Sequence, residues 1–117
     1  MMKRISQLQL FLQYETEAEL SSKVKEYLEV QPDVKLMRIC DRYTKGYPDI
    51  ITCVNGIFCA FELKDNTGKP SAHQTLFIKD MQRCGGLGGV VRTVGEVVYI
   101  VGQARCISNG CKRHNKK

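Results

Sequence analysis

Apolar residues recur at Leu20, Val24, Tyr27 and Leu28, the rhythm of a helix with one buried face. Thr16 and Glu19 precede them at the spacing of a capping box, in which each side chain satisfies a free backbone N–H. The pattern predicts a helix over residues 16–29, stopped by Pro32. Upstream, Ile5, Leu8 and Leu12 share a face if residues 4–12 form a shorter helix; the same stretch is otherwise an arm for a partner. Val34 to Cys40 reads as a strand, followed by a polar loop with Arg42, Lys45 and Gly46. Two β-prone runs follow, Asp49 to Val54 and Ile57 to Lys64, separated by Asn55-Gly56. A second helix is expected from an N-cap at Ser71 to about Cys84, with Phe77, Ile78, Met81 and Cys84 as its apolar stripe and Gly85-Gly86 as its end. Gly89 to Val94 and Val97 to Val101 are apolar and β-branched, and suggest two strands around a turn at Gly95. The order is helix, three strands, helix, strand and an extra strand, with no internal repeat. It indicates an α/β fold, a sheet covered by helices.

The Asn-Gly pair is the strongest local signal, because a two-residue hairpin turn needs φ > 0 at both central positions. It places Val54 opposite Ile57 and, counting back, Asp49 opposite Glu62. Lys64 lies two residues beyond Glu62 and so shares its face. One turn thus brings an Asp, a Glu and a Lys onto one surface. Carboxylates at cross-strand distance repel unless a cation lies between them or one takes up a proton. Hard oxygen ligands suit Mg²⁺ or Mn²⁺, which also bind phosphates. Such an ion lowers the pKa of a water and neutralises a phosphodiester, and a nearby lysine positions or deprotonates that water and stabilises the developing anion. The plainer alternative is an ion pair of Lys64 with Glu62 or Asp49 on an exposed sheet face. Gly46-Tyr47-Pro48 restricts the chain just before Asp49.

Length and composition narrow the class without changing that picture. The 117 residues suit one domain, with apolar and charged fractions near globular averages. No apolar run approaches a membrane span, and Gln7, Gln9 and Gln13 break any secretory core after Lys3-Arg4. The expectation is a cytoplasmic protein without a membrane partner or a small organic cofactor. Five of the 18 Lys and Arg lie in residues 103–117, which hold no acid, so the net charge of +6 sits largely there. The expected organisation is one domain over residues 1–102 and a basic tail over 103–117. The six cysteines include no C-x-x-C pair, so reduced thiols are the default. Cys106, Cys111 and His114 could begin a zinc site, but a fourth ligand is missing nearby.

At these residues the chain resembles a known family. Pro48-Asp49 followed by Glu62-Leu63-Lys64 resembles the PD-(D/E)XK nuclease signature. With Gly46-Tyr47, Gly68-Lys69-Pro70-Ser71 and Gln74, the series is similar to the small stand-alone VRR-NUC branch of phages and bacteria, over roughly residues 15–95. The resemblance implies a restriction-endonuclease-like αβββαβ core, a mixed sheet flanked by helices. It implies Asp49 and Glu62 as metal ligands, the Leu63 carbonyl sharing the ion, and Lys64 as the catalytic lysine. It also implies a first-helix carboxylate as a further catalytic residue and metal ligand. Glu17, in register with Leu20, Val24 and Leu28, is preferred over Glu19, which has the capping role. Gln74 either caps its helix with Ser71 or also touches the site, while His73 is expected to face outward. Tyr47 stacks on a base or braces its loop, and Arg42, Lys45 and Lys69 contact phosphates or are simply solvated.

The expected function is a Mg²⁺- or Mn²⁺-dependent DNA endonuclease. The branch resemblance suggests branched DNA, such as a four-way junction, cut by a homodimer; duplex DNA is the simpler substrate. A domain this small offers little surface for a branched substrate, and a twofold pair supplies two symmetric cuts. The alternatives are an inert nucleic-acid-binding module on a nuclease fold and an RNA-directed nuclease.

Overall fold

The computed structural model describes residues 16–37 and 46–110. The first helix, α1 (Glu17–Glu29), leads into β1 (Val34–Met37), β2 (Ile50–Val54) and β3 (Ile57–Leu63). Helix α2 (Ala72–Arg83), strand β4 (Leu87–Val91) and helix α3 (Val94–Ser108) complete the order. The sheet runs β1-β2-β3-β4, antiparallel except for the parallel β3–β4 pair, which α2 joins as a crossover. The fold is an α/β sheet flanked by helices, as the sequence pattern implied, and the sheet is mixed, as the resemblance implied. Expectations for residues 4–12, Arg42, Lys45, Cys111 and His114 lie outside the described residues.

Each side of the sheet has its own core. Leu20, Val24 and Leu28 of α1 and Val94, Val97, Val101 and Ala104 of α3 pack against Ile50, Val54, Cys59, Phe61, Leu63 and Val91. On the other side Ile78 and Met81 of α2 cover Ile51 and Ala60. Fully burying one such Leu or Val side chain stabilises the fold by about 1.5–3 kcal/mol. The α1 N-terminus is half the predicted box: Thr16 Oγ1 accepts the Glu19 N–H at 3.1 Å. Ser71 and Gln74 make the full reciprocal box at the start of α2.

The hairpin has the predicted register. Val54 pairs with Ile57 and Ile50 with Phe61, and Asn55 and Gly56 have φ of 49° and 92°. Strand β4 requires glycine for a tertiary reason. Gly88 has φ +116°, and a Cβ there would lie 1.9 Å from the Ala60 carbonyl oxygen.

Two expectations are corrected. Val97 to Val101 is helix, not strand, and Gly95 lies in the first turn of α3 rather than in a hairpin turn. Thr93 and Glu96 form a capping box there, and Val94, Val97, Val101 and Ala104 are buried at helical spacing, so periodicity and cap outweigh the β-branched composition. The helix also crosses the boundary expected at residue 102 and continues to Ser108. Arg105 belongs to that folded helix, with Nε and Nη2 each 2.7 Å from an Asp33 carboxylate oxygen, tying α3 to the start of β1. The Arg105 guanidinium holds the Asp33 carboxyl below its ordinary range. Cys53, Cys59 and Cys84 are free, as reduced thiols would be, but Cys106 on the surface of α3 is disulfide-bonded.

Candidate active site

The site forms where β2 begins and β3 ends. Side chains alternate along β3: Cys59, Phe61 and Leu63 point into the α1–α3 core, so Ala60 and Glu62 face the α2 side. Glu62 is 1% exposed. Asp49, on the buried Pro48 and just before β2, is exposed, and its Oδ2 accepts the Leu63 N–H at 2.7 Å. That bond ties the Asp49 side chain to the end of β3, where its charge acts on Glu62.

Lys64 completes the group. Its Nζ lies 3.3 Å from Glu62 Oε2 and 3.8 Å from Glu17 Oε2. The lysine is thus held from two sides, by the strand and by the first turn of α1. Burial works against the ammonium. The Glu62 hydrogen bond and the charges of Glu62, Glu17 and Asp49 outweigh it, so the Lys64 pKa is raised. Glu62 moves the other way from an ordinary carboxylate. Burial, and then the charge of Asp49, push its pKa up to about 7 against the partial relief from Lys64.

The loop after β3 is built over this lysine. Asp65 Oδ1 accepts from the Thr67 N–H, the Thr67 hydroxyl and the Gly68 N–H, and Arg92 donates to the Asp65 carbonyl. A Cβ at Gly68 would approach Lys64 Cδ and Asp65 Oδ1 to 3.3 Å and Glu17 Oε2 to 3.7 Å. Gly46, with φ +92°, is pressed onto the first turn of α2, where a Cβ would lie 2.7 Å from the His73 carbonyl oxygen. Tyr47 meets the Phe77 ring edge-on at a centroid distance of 5.6 Å, so it braces its loop against α2.

Of the sequence-derived candidates, Asp49, Glu62, Lys64 and Glu17 come together. Glu17 rather than Glu19 reaches the lysine, and it does so as an ion-pair partner of Lys64. Among the described residues no three His, Cys, Asp or Glu side chains gather closely enough to hold a metal ion. Asp49 and Glu62 are the two carboxylates that lie side by side here, and the Leu63 carbonyl enters only as the third donor that the sequence resemblance implies. Glu62 Oε1 carries the fit to a divalent cation: it is buried and has no hydrogen-bond partner among the described residues. Leaving a carboxylate oxygen so is unfavourable by a kcal/mol or more, and a cation between the two carboxylates removes the penalty and their repulsion together.

Gln74 is drawn into the cap, its Oε1 accepting the Ser71 N–H at 2.9 Å, and no hydrogen bond joins it to the carboxylates. His73 and Lys69 are exposed. A cavity of about 230 Å³ opens beside Asp49 and Leu63 and is walled by Glu17, Ala18, Ser21 and Lys25 of α1. Ser21 and Lys25 escaped the sequence reading. The signal for them is their position four and eight residues after Glu17, on one row of the helix.

No family model matches the chain, and no curated protein matches it. A solved structure titled a VRR_NUC domain superposes on 74% of this chain and 94% of its own, with a TM-score of 0.62 and 22% identity. That likeness shows the fold alone: the chain shares the mixed sheet and flanking helices of that VRR_NUC domain.

Proposed function

With the VRR-NUC fold as premise, we propose that this chain is a divalent-metal-dependent endonuclease that hydrolyses phosphodiester bonds in DNA. The observation that carries the reading is the buried, unpartnered Glu62 Oε1 beside Asp49, in a site that also holds a lysine. Asp49, Glu62 and the Leu63 carbonyl would hold Mg²⁺ or Mn²⁺. When bound there, the cation supplies charge neutralisation at the phosphate and acidifies water. The protein's own groups do the rest. The Leu63 N–H fixes the Asp49 carboxylate, and burial shields the Glu62 carboxylate from water, so that neighbouring charges act on it strongly. Glu17 and Glu62 hold the Lys64 ammonium between them, where it can donate to a non-bridging phosphate oxygen as negative charge grows. Glu17 is a positioning residue in this account, since it acts through Lys64.

Branched DNA and a homodimer are the finer parts of the proposal. A domain of 117 residues offers one cleavage centre, and two symmetric cuts across a branch need two. The test is cleavage of a four-way junction beside linear duplex, single strands and matched RNA in Mg²⁺ and Mn²⁺, with the oligomeric state measured by light scattering. Junction cutting by a dimer supports the whole reading. Equal cutting of linear duplex removes the branched preference, and faster cutting of RNA overturns the choice of DNA.

A further inference from the structure

Glu17, Ser21 and Lys25 stand at four-residue intervals and form one row along α1, beside the buried row of Leu20, Val24 and Leu28. The eight helical steps from Glu17 to Lys25 span about 12 Å along the helix axis. All three line the cavity that opens beside Asp49 and Leu63. The wall therefore leads away from the cleavage centre along the helix.

The charges along this wall are unevenly used. Glu17 is engaged by Lys64, and Asp49 accepts the Leu63 N–H. Lys25 is exposed and makes no ion pair among the described residues, and the Ser21 hydroxyl makes no hydrogen bond there. Lys23, two residues away, differs on both counts: it pairs with Glu26 at 3.7 Å and lies by a separate depression with Ala18, Glu19 and Ser22. An uncommitted ammonium and a hydroxyl on one wall match the oxygens of a backbone phosphate, the usual target of Lys and Ser in nucleic-acid contacts.

We propose that Ser21 and Lys25 form a phosphate-docking subsite for the substrate strand, holding a phosphodiester adjacent to the one cleaved at Asp49, Glu62 and Lys64. The inference rests on the nuclease reading and adds to it a direction: the strand leaves the centre along α1. Ser21 and Lys25 contact substrate without touching the reacting atoms, so they act on binding more than on chemistry.

Equilibrium binding of a fluorescent DNA junction, in Ca²⁺ and over 50–200 mM salt, tests this. Ca²⁺ takes oxygen ligands in looser geometry than Mg²⁺, and a gel run after each titration verifies that the DNA is intact. Removing one phosphate contact should weaken binding roughly five- to ten-fold near 0.1 M salt and lower the slope of log K against log salt by about 0.7–0.9. Lys25→Ala should show both effects, Lys25→Arg should restore them, and Ser21→Ala should weaken binding about two- to three-fold with the slope unchanged, as loss of a neutral contact would. In Mg²⁺ the Lys25→Ala loss should fall on KM and leave kcat within about two-fold. Lys23→Ala should change neither affinity nor slope. An unchanged slope in Lys25→Ala, or an equal loss in Lys23→Ala, overturns the subsite while leaving the nuclease reading intact. No salt-dependent binding by the unsubstituted protein overturns both.

Discussion

Glu62→Gln separates what this carboxylate costs the fold from what it gives the site. Burial and Asp49 push the Glu62 pKa up to about 7 from an ordinary 4.5. Between those values the folded chain keeps a proton that the unfolded chain has lost. The stabilising contribution is fully present below pH 4.5 and is lost as pH rises through 7. At about 1.4 kcal/mol for each pH unit separating the two values, the full loss is about 3 kcal/mol. Glutamine has no such proton and fills almost the same volume. In metal-free buffer, urea unfolding at pH 5 and pH 8 should show the Glu62→Gln variant gaining about 2–3 kcal/mol on the parent between the two pH values. The comparison cancels the titrating groups that do not interact with Glu62. Adding Mg²⁺ at pH 8 should then stabilise the parent by mass action and leave the variant unchanged. A stability difference that is the same at both pH values would refute the claim that a strained carboxylate is stored here.

Three further expectations follow from other parts of the fold. Gly88→Ala forces a Cβ into the Ala60 carbonyl oxygen at a positive φ, and should lose about 2–4 kcal/mol in chemical denaturation, or fail to accumulate as folded protein. Arg105→Ala breaks the two-pronged Asp33 contact that ties α3 to β1. Because the pair is partly exposed, about 1 kcal/mol is expected, by thermal unfolding at neutral pH. The Asp33 pKa is lowered from 3.8, so this stability is present above that value and disappears as pH falls below it, where parent and Arg105→Ala should converge. Thr93→Ala removes the oxygen that accepts the Glu96 N–H at 3.2 Å and should destabilise α3 by about 1 kcal/mol in the same assay.

What was legible in the sequence was local. Asn55-Gly56 determines the hairpin register because both residues must adopt φ > 0, and that register alone predicts Asp49, Glu62 and Lys64 on one face. The apolar rhythm of α1 was equally plain, and Glu17 follows from it. The nearby Val97 to Val101 misled: its β-branched composition suggested a strand, although Thr93-x-x-Glu96 in front of it carried the cap of a helix. The choice of Glu17 partner was not legible, since whether a carboxylate meets the metal ligands or the lysine depends on the angle of α1 across the sheet end. Gly88 looked like strand punctuation, and only the parallel pairing of β3 with β4 reveals what its missing side chain avoids. Ser21 and Lys25 carried only their helical spacing from Glu17, and that this row of α1 opens toward Asp49 is set by how the helix packs on the sheet.

The most direct test is strand cleavage of a junction by the purified protein with EDTA, with Mg²⁺ and with Mn²⁺, beside Lys64→Ala. The account predicts cutting only with a divalent cation, and its loss by at least two orders of magnitude in Lys64→Ala, with DNA still bound. Cutting that survives EDTA, or a Lys64→Ala variant as active as the parent, would contradict it.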